Sequence, residues 1–154
     1  MNLYQLLNIT SSNVEDLIQK SIDDTKIKLE GLTEQQTCKI YSSYITENLR
    51  KNHVTNRLIN TSELGFQYEH QFNLVPVDLK HCYLIDLTFS QFPSVDFPKL
   101  KESGFQLVAD SDFKRYLEDV CCEYREISLE DAYHKKSRFK WSITFHFLKI
   151  SVLY

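Results

Sequence analysis

Across residues 66–74, apolar and polar side chains alternate without a break. Phe66, Tyr68, His70, Phe72 and Leu74 fall on one side, and Gln67, Glu69, Gln71 and Asn73 on the other. A period of two is the repeat of a β-strand resting one face on a core, so the segment predicts a half-buried strand. Pro76, Asp78 and Lys80 interrupt the pattern as a hairpin loop does, and residues 81–88 resume it with β-favouring side chains. The two runs therefore predict an antiparallel pair, with a histidine on the apolar side of one strand and Asp86 near the end of the other.

Helical spacing dominates the preceding residues. Thr10, Ser11 and Ser12 offer N-caps for a helix over 13–29, where Val14, Leu17, Ile18 and Ile22 make one stripe. Gly31 closes it, and Thr33-Glu34-Gln35-Gln36 reads as the capping box of a second helix running to about residue 51. On that helix Cys38, Tyr41, Ile45 and Leu49 share a face. Residues 52–63 read as a polar turn. Further on, Pro93 and Pro98 bracket a loop, residues 111–123 predict a helix, and residues 138–154 predict one or two closing strands. The class is α+β, with N-terminal helices and the cysteine helix packed on an antiparallel sheet. With 154 residues, 42% of them hydrophobic, and no repeat or linker, the chain predicts a single domain over 1–154 that buries roughly 70% of its unfolded surface.

Composition removes several classes of function. The net charge of -3 arises from 18 basic and 21 acidic side chains mixed along the chain, without the Lys/Arg stripe that phosphate backbones require, so nucleic acid is not an expected partner. No apolar run approaches the roughly 18 residues of a membrane span. MNLYQLLNITSSNVED has neither a basic start nor a signal-like apolar core, which predicts a cytoplasmic protein or one exported without a cleavable signal peptide. No nucleotide or coenzyme motif is present, so no cofactor is expected. The four cysteines, at 38, 82, 121 and 122, lack the spacing of a disulfide scaffold and read as thiols. A metal reading would draw on His81, Cys82, Cys121 and Cys122, but these lack paired C-x-x-C spacing, and no metal site is predicted. Two matches to the glycosylation acceptor pattern, at Asn8 and Asn60, carry no weight in an Asn-rich chain.

Register supplies the chemistry. A hairpin loop centred on Asp78 would set His70 directly opposite Asp86, with Cβ atoms about 4.5–5.5 Å apart. A shift of two would leave them diagonal neighbours, and an odd shift would send them to opposite faces. A carboxylate beside an imidazole fixes its tautomer and stabilises its cation, useful when the other ring nitrogen must take a proton from a nucleophile. That nucleophile is Cys38, near a helix N-terminus where the macrodipole favours thiolate. The competing imidazoles are His53, His81, His134 and His146; of these His53, in a polar loop, and His81, opening the second strand, are not well placed to meet Asp86 across a ladder. Taken singly, each triad member has a plain structural reading as core thiol, satisfied core histidine or turn aspartate.

The order of a cysteine on a helix, a histidine on a strand and an aspartate on the next strand resembles the transglutaminase-like branch of the papain-like cysteine enzymes, which includes the arylamine N-acetyltransferases. The likeness covers about residues 33–92, and the segment YLIDLTF around Asp86 carries it best. No Gly precedes Cys38, no Trp follows it and the histidine strand lacks Trp, so the chain looks more like a distant, small relative of the bacterial effector or toxin type, a deamidase or protease. The resemblance implies a papain-like (transglutaminase-like) core and catalytic roles for Cys38, His70 and Asp86. Papain-like enzymes place a glutamine upstream of the cysteine, which makes Gln35 and Gln36 oxyanion candidates beside the Cys38 backbone N–H. The aromatic line Phe89, Phe92 and Phe97 could wall a substrate groove, with Gln91 nearby, and His134-Lys135-Lys136-Ser137-Arg138 reads as a solvated loop.

The expectation is a cysteine-dependent hydrolase, deamidase or transglutaminase-like acyltransferase acting on an amide or thioester of a protein or peptide. The alternative, from another class, is a non-catalytic binding or immunity module that keeps the same three residues as packed polar core.

Overall fold

The computed structural model describes residues 11–30 and 37–134. Among these, four strands form one antiparallel sheet in chain order: β1 (Arg57–Asn60), β2 (Gln71–Pro76), β3 (His81–Ile85) and β4 (Phe105–Ala109). Helices α1 (Ser11–Lys28) and α2 (Thr37–Lys51) precede the sheet, α3 (Pro98–Ser103) lies between β3 and β4, and α4 (Asp110–Cys121) and α5 (Leu129–His134) follow. The fold is the expected α+β, and α2, which carries Cys38, packs on β2. No helix among the described residues is long and apolar enough to cross a membrane.

Each face of the sheet carries its own helical layer. Strand alternation sends Phe72 and Leu74 of β2 one way and Asn73 and Val75 the other. Val75 joins Tyr83 and Ile85 beneath Val14, Ile18 and Ile22 of α1 and Ile45 and Leu49 of α2. On the opposite face Phe72, Leu74, Leu84 and Val108 meet Phe113, Tyr116 and Leu117 of α4. At about 1.5–3 kcal/mol for each large apolar side chain removed from water, these two clusters dominate the packing.

Coverage on both faces corrects one expectation. The alternation predicts a solvent-facing Asn73, yet Asn73 is buried beneath α2 and its Nδ2 donates to Thr46 Oγ1 at 2.7 Å. The strand also begins later than its pattern, at Gln71, because Thr61 captures the main chain before it. Thr61, fully buried in the 3-10 turn Thr61–Leu64, donates from Oγ1 to the Tyr68 carbonyl at 2.6 Å and accepts the His70 N–H at 2.8 Å. Its own N–H reaches the His70 carbonyl at 2.9 Å. One threonine thus takes the bonds that a ladder partner would, and Tyr68, on the apolar side of the pattern, stands 49% exposed.

The predicted polar turn over 52–63 contains β1, and α3, β4 and α5 are elements the sequence pattern did not reveal. Elements this short carry too little of either period to register. Helix α1 lies within two residues of its predicted bounds, and α4 matches its predicted start within one. The Gly31 stop, the capping box over 33–36 with Gln35 and Gln36, and the closing strands over 138–154 fall outside the described residues. Gly104 ends α3 at φ 82, where a Cβ would also run into Leu87, and its carbonyl accepts the Asp86 N–H at 2.9 Å. A glycine is needed there to hold Asp86 in place.

Candidate active site

Strands β2 and β3 pair with Asn73 opposite Ile85 and Leu74 opposite Leu84, which centres the hairpin on Leu79 rather than Asp78. His70 and Asp86 are therefore diagonal, not directly opposed, and both lie just past the ends of the regular ladder. Parity is preserved, so both stay on the α4 face. Freed from the ladder, the ring meets the carboxylate directly: His70 Nε2 lies 2.7 Å from Asp86 Oδ2, with each side chain 1% exposed. Phe92 stands edge-on to the imidazole, ring centres 5.1 Å apart, which fixes the ring's tilt.

Asp86 is held at every oxygen. Oδ1 accepts from the Thr88 N–H at 3.0 Å and from Thr88 Oγ1 at 2.9 Å, and Oδ2 accepts from the Tyr116 hydroxyl at 2.7 Å in addition to His70. A buried carboxylate costs several kcal/mol unless its lone pairs are satisfied, and here they are. Tyr116 is completely buried, and burial, then the Asp86 charge, pushes its pKa well above the ordinary phenol value. It remains a donor.

Cys38 is the second residue of α2, half-buried, and its thiol is near enough to the His70 imidazole for each to shift the other's pKa. With Nε2 committed to Asp86, Nδ1 is the nitrogen left for the sulfur. The His70 imidazole is the largest influence on the thiol and lowers its pKa. Burial works against this, the Gln71 backbone N–H and the imidazole charge reinforce it, and the Asp86 charge opposes it. For His70, burial pulls the ring down, but the interactions with Asp86 and Cys38 outweigh it and raise the pKa to about 9. Both shifts favour the thiolate–imidazolium form of the pair over the neutral one. Burial drives two other thiols the opposite way, Cys82 up to about 12 and Cys121 up to about 11.

The flanking residues fasten the two halves together. Lys39 and Glu69, next in chain to Cys38 and His70, form an ion pair at 3.0 Å, and Asn60 donates to Glu69 at 2.9 Å. The Ser42 hydroxyl donates to the Cys38 carbonyl at 2.6 Å and sits 3.2 Å from the Gln71 side-chain oxygen. Asn60-Thr61-Ser62, a glycosylation pattern in sequence, serves here as a turn: Asn60 Oδ1 caps the 3-10 turn by accepting the Ser62 N–H at 3.0 Å.

The structure thus brings Cys38, His70 and Asp86 together. Of the competing imidazoles, His53 is exposed at φ 59 and His81 pairs with Asp78. His134 ends α5 beside Tyr133, and His146 lies outside the described residues. Phe89 and Phe97 are fully buried core, Gln91 is exposed, and only Phe92 of the aromatic line touches His70. Among the described residues no cluster of three or more His, Cys, Asp or Glu could hold a metal ion. Thr88, Thr61 and Tyr116 escaped the sequence reading. Asp86-Leu87-Thr88 is an Asx-type turn that could have found the first. Tyr116 carried only the hint that a tyrosine in an apolar helix stripe needs a hydroxyl partner.

Comparison of the chain with protein-family models, with curated proteins and with solved structures finds no match.

Proposed function

We propose that the protein is a cysteine-dependent acyl-transfer enzyme with Cys38 as nucleophile, His70 as proton carrier and Asp86 as its orienter. The observation that supports this most directly is the buried His70–Asp86 bond at 2.7 Å, with the Cys38 thiol near enough to the imidazole for each to shift the other's pKa. The thiolate attacks the carbonyl carbon of an amide or thioester, and the imidazolium protonates the leaving amine or thiol as the tetrahedral intermediate collapses to an S-acyl enzyme. His70, now neutral, takes a proton from water or an amine as it attacks the thioester, and Cys38 leaves as thiolate. The Cys38 N–H, in the first turn of α2, is the proposed oxyanion donor, and Gln35 and Gln36 keep that role as candidates. A papain-like (transglutaminase-like) core, a protein or peptide substrate, and hydrolysis or deamidation as the outcome are parts of the same reading.

p-Nitrophenyl acetate tests it. A burst of nitrophenol stoichiometric with protein, with the acetyl group on the Cys38 peptide, is expected. A burst that is missing, or that persists in Cys38→Ala, would overturn the assignment. The non-catalytic binding module is favoured by one feature, the tight packing behind the thiol, where the enclosed space is about 10 Å³. Substrate would have to approach Cys38 from its solvent side.

A further inference from the structure

The network around Asp86 has more members than a triad uses. Asp86 Oδ2 receives two donors at the same distance, His70 Nε2 at 2.7 Å from the loop before β2 and the Tyr116 hydroxyl at 2.7 Å from the middle of α4. The other oxygen is occupied by Thr88. Tyr116 is wholly buried, its ring set among Phe72, Phe89 and Phe97. The titratable groups acting on it are Asp86, Cys121 and Cys38. No Lys or Arg is bonded to Asp86 among the described residues, so His70 is the one cationic partner of this carboxylate in the network.

We propose that Tyr116 is a positioning residue of the site: its hydroxyl, donating to the oxygen that receives His70, locks the carboxylate rotamer that carries the imidazole toward Cys38 and divides that oxygen's charge between two donors. A carboxylate oxygen already engaged by a phenol is a weaker acceptor for the imidazole N–H. Tyr116 therefore both aims His70 and limits how strongly Asp86 stabilises the imidazolium, whose Nδ1 proton must pass to the leaving group. This rests on the reading of Cys38, His70 and Asp86 as a triad.

Tyr116→Phe removes one oxygen and keeps the ring in its aromatic nest. A hydrogen bond to a charged group is stronger than one between neutral groups. Its loss should raise the pH at which the His70 ring nitrogens titrate in 15N NMR by about one unit and slow deacetylation of S-acetyl-Cys38 at neutral pH about tenfold or more. Site-specific replacement of Tyr116 by a fluorotyrosine, a stronger donor of the same shape, should move the His70 titration in the opposite direction. A purely structural tyrosine would give neither sign. Unchanged His70 titration in both proteins overturns the proposal. If Tyr116→Phe does not fold, the fluorotyrosine protein decides alone. His70 titrates whether or not the protein turns over substrate, so a failed acylation would count against the enzyme reading and leave the Tyr116 result standing.

Discussion

One hairpin carries two histidine–aspartate pairs, one at each end. At the loop, His81 Nδ1 lies 2.9 Å from Asp78 Oδ1, with side chains 43% and 53% exposed; at the open end, His70 and Asp86 meet at 2.7 Å and are 1% exposed. The donors and acceptors are alike and the distances similar, so the environment separates them. Asp78 also accepts the Lys80 N–H at 2.7 Å, and that backbone bond, more than the imidazole, lowers its pKa. It is turn chemistry in water, where an ion pair contributes about 1 kcal/mol or less. Asp86 has lost its water, gained Thr88 and Tyr116, and has a thiol on the far side of its histidine. Pairing alone is cheap; burial together with a third partner makes a pair that can move a proton.

The contrast breaks most sharply at Asp86. Asp86→Asn should lower Cys38 acylation by about 10³-fold or more, because His70 loses the acceptor that sets its tautomer, and should destabilise the fold by about 3 kcal/mol, read as a shift in urea midpoint. A thermal stability unchanged from wild type would show that the buried pair is not an integral part of the core.

A smaller effect sharpens the contrast through pH. His70 is raised in the fold from the ordinary 6.5 to about 9, so its contribution is complete below pH 6.5 and is lost as pH rises through about 9. Cys38 is lowered from 9.0, so its contribution is present above that value and lost as pH falls. The two oppose each other across the neutral range. Cys38→Ala removes the second and the Cys38 share of the first but leaves the Asp86 share, so its unfolding free energy should still fall more steeply than that of wild type as pH rises above 6.5. Parallel curves would mean that thiol and imidazole do not share a proton.

The smallest effect is expected at the loop. Asp78→Asn should cost below about 1 kcal/mol and leave Cys38 acylation unchanged. A larger loss would make the two ends of the hairpin equivalent and erase the distinction.

What the sequence made legible was periodicity and parity. The stripes of α1 and α2, the helix bearing Cys38 and the shared face of His70 and Asp86 all follow from repeats that each side chain reinforces. The register was off by one residue in its centre because Pro76, Asp78 and Lys80 mark a loop without fixing which residue stands at its apex. The strand before His70 was over-extended because a single buried side chain, Thr61, outcompeted the ladder for the main chain, and no pattern of hydrophobicity encodes that. Tyr116 was hidden for a related reason, since a hydrogen bond between elements far apart in the chain leaves no periodic trace, whereas Thr88, two residues from Asp86, was legible as part of an Asx-type turn.

Iodoacetamide labelling below pH 7, resolved thiol by thiol by mass spectrometry, tests the activation of Cys38 most directly. Cys38 should be alkylated far faster than Cys82, Cys121 and Cys122, and the advantage should vanish in His70→Ala. Equal rates at all four thiols, or an advantage that survives the loss of His70, would contradict it.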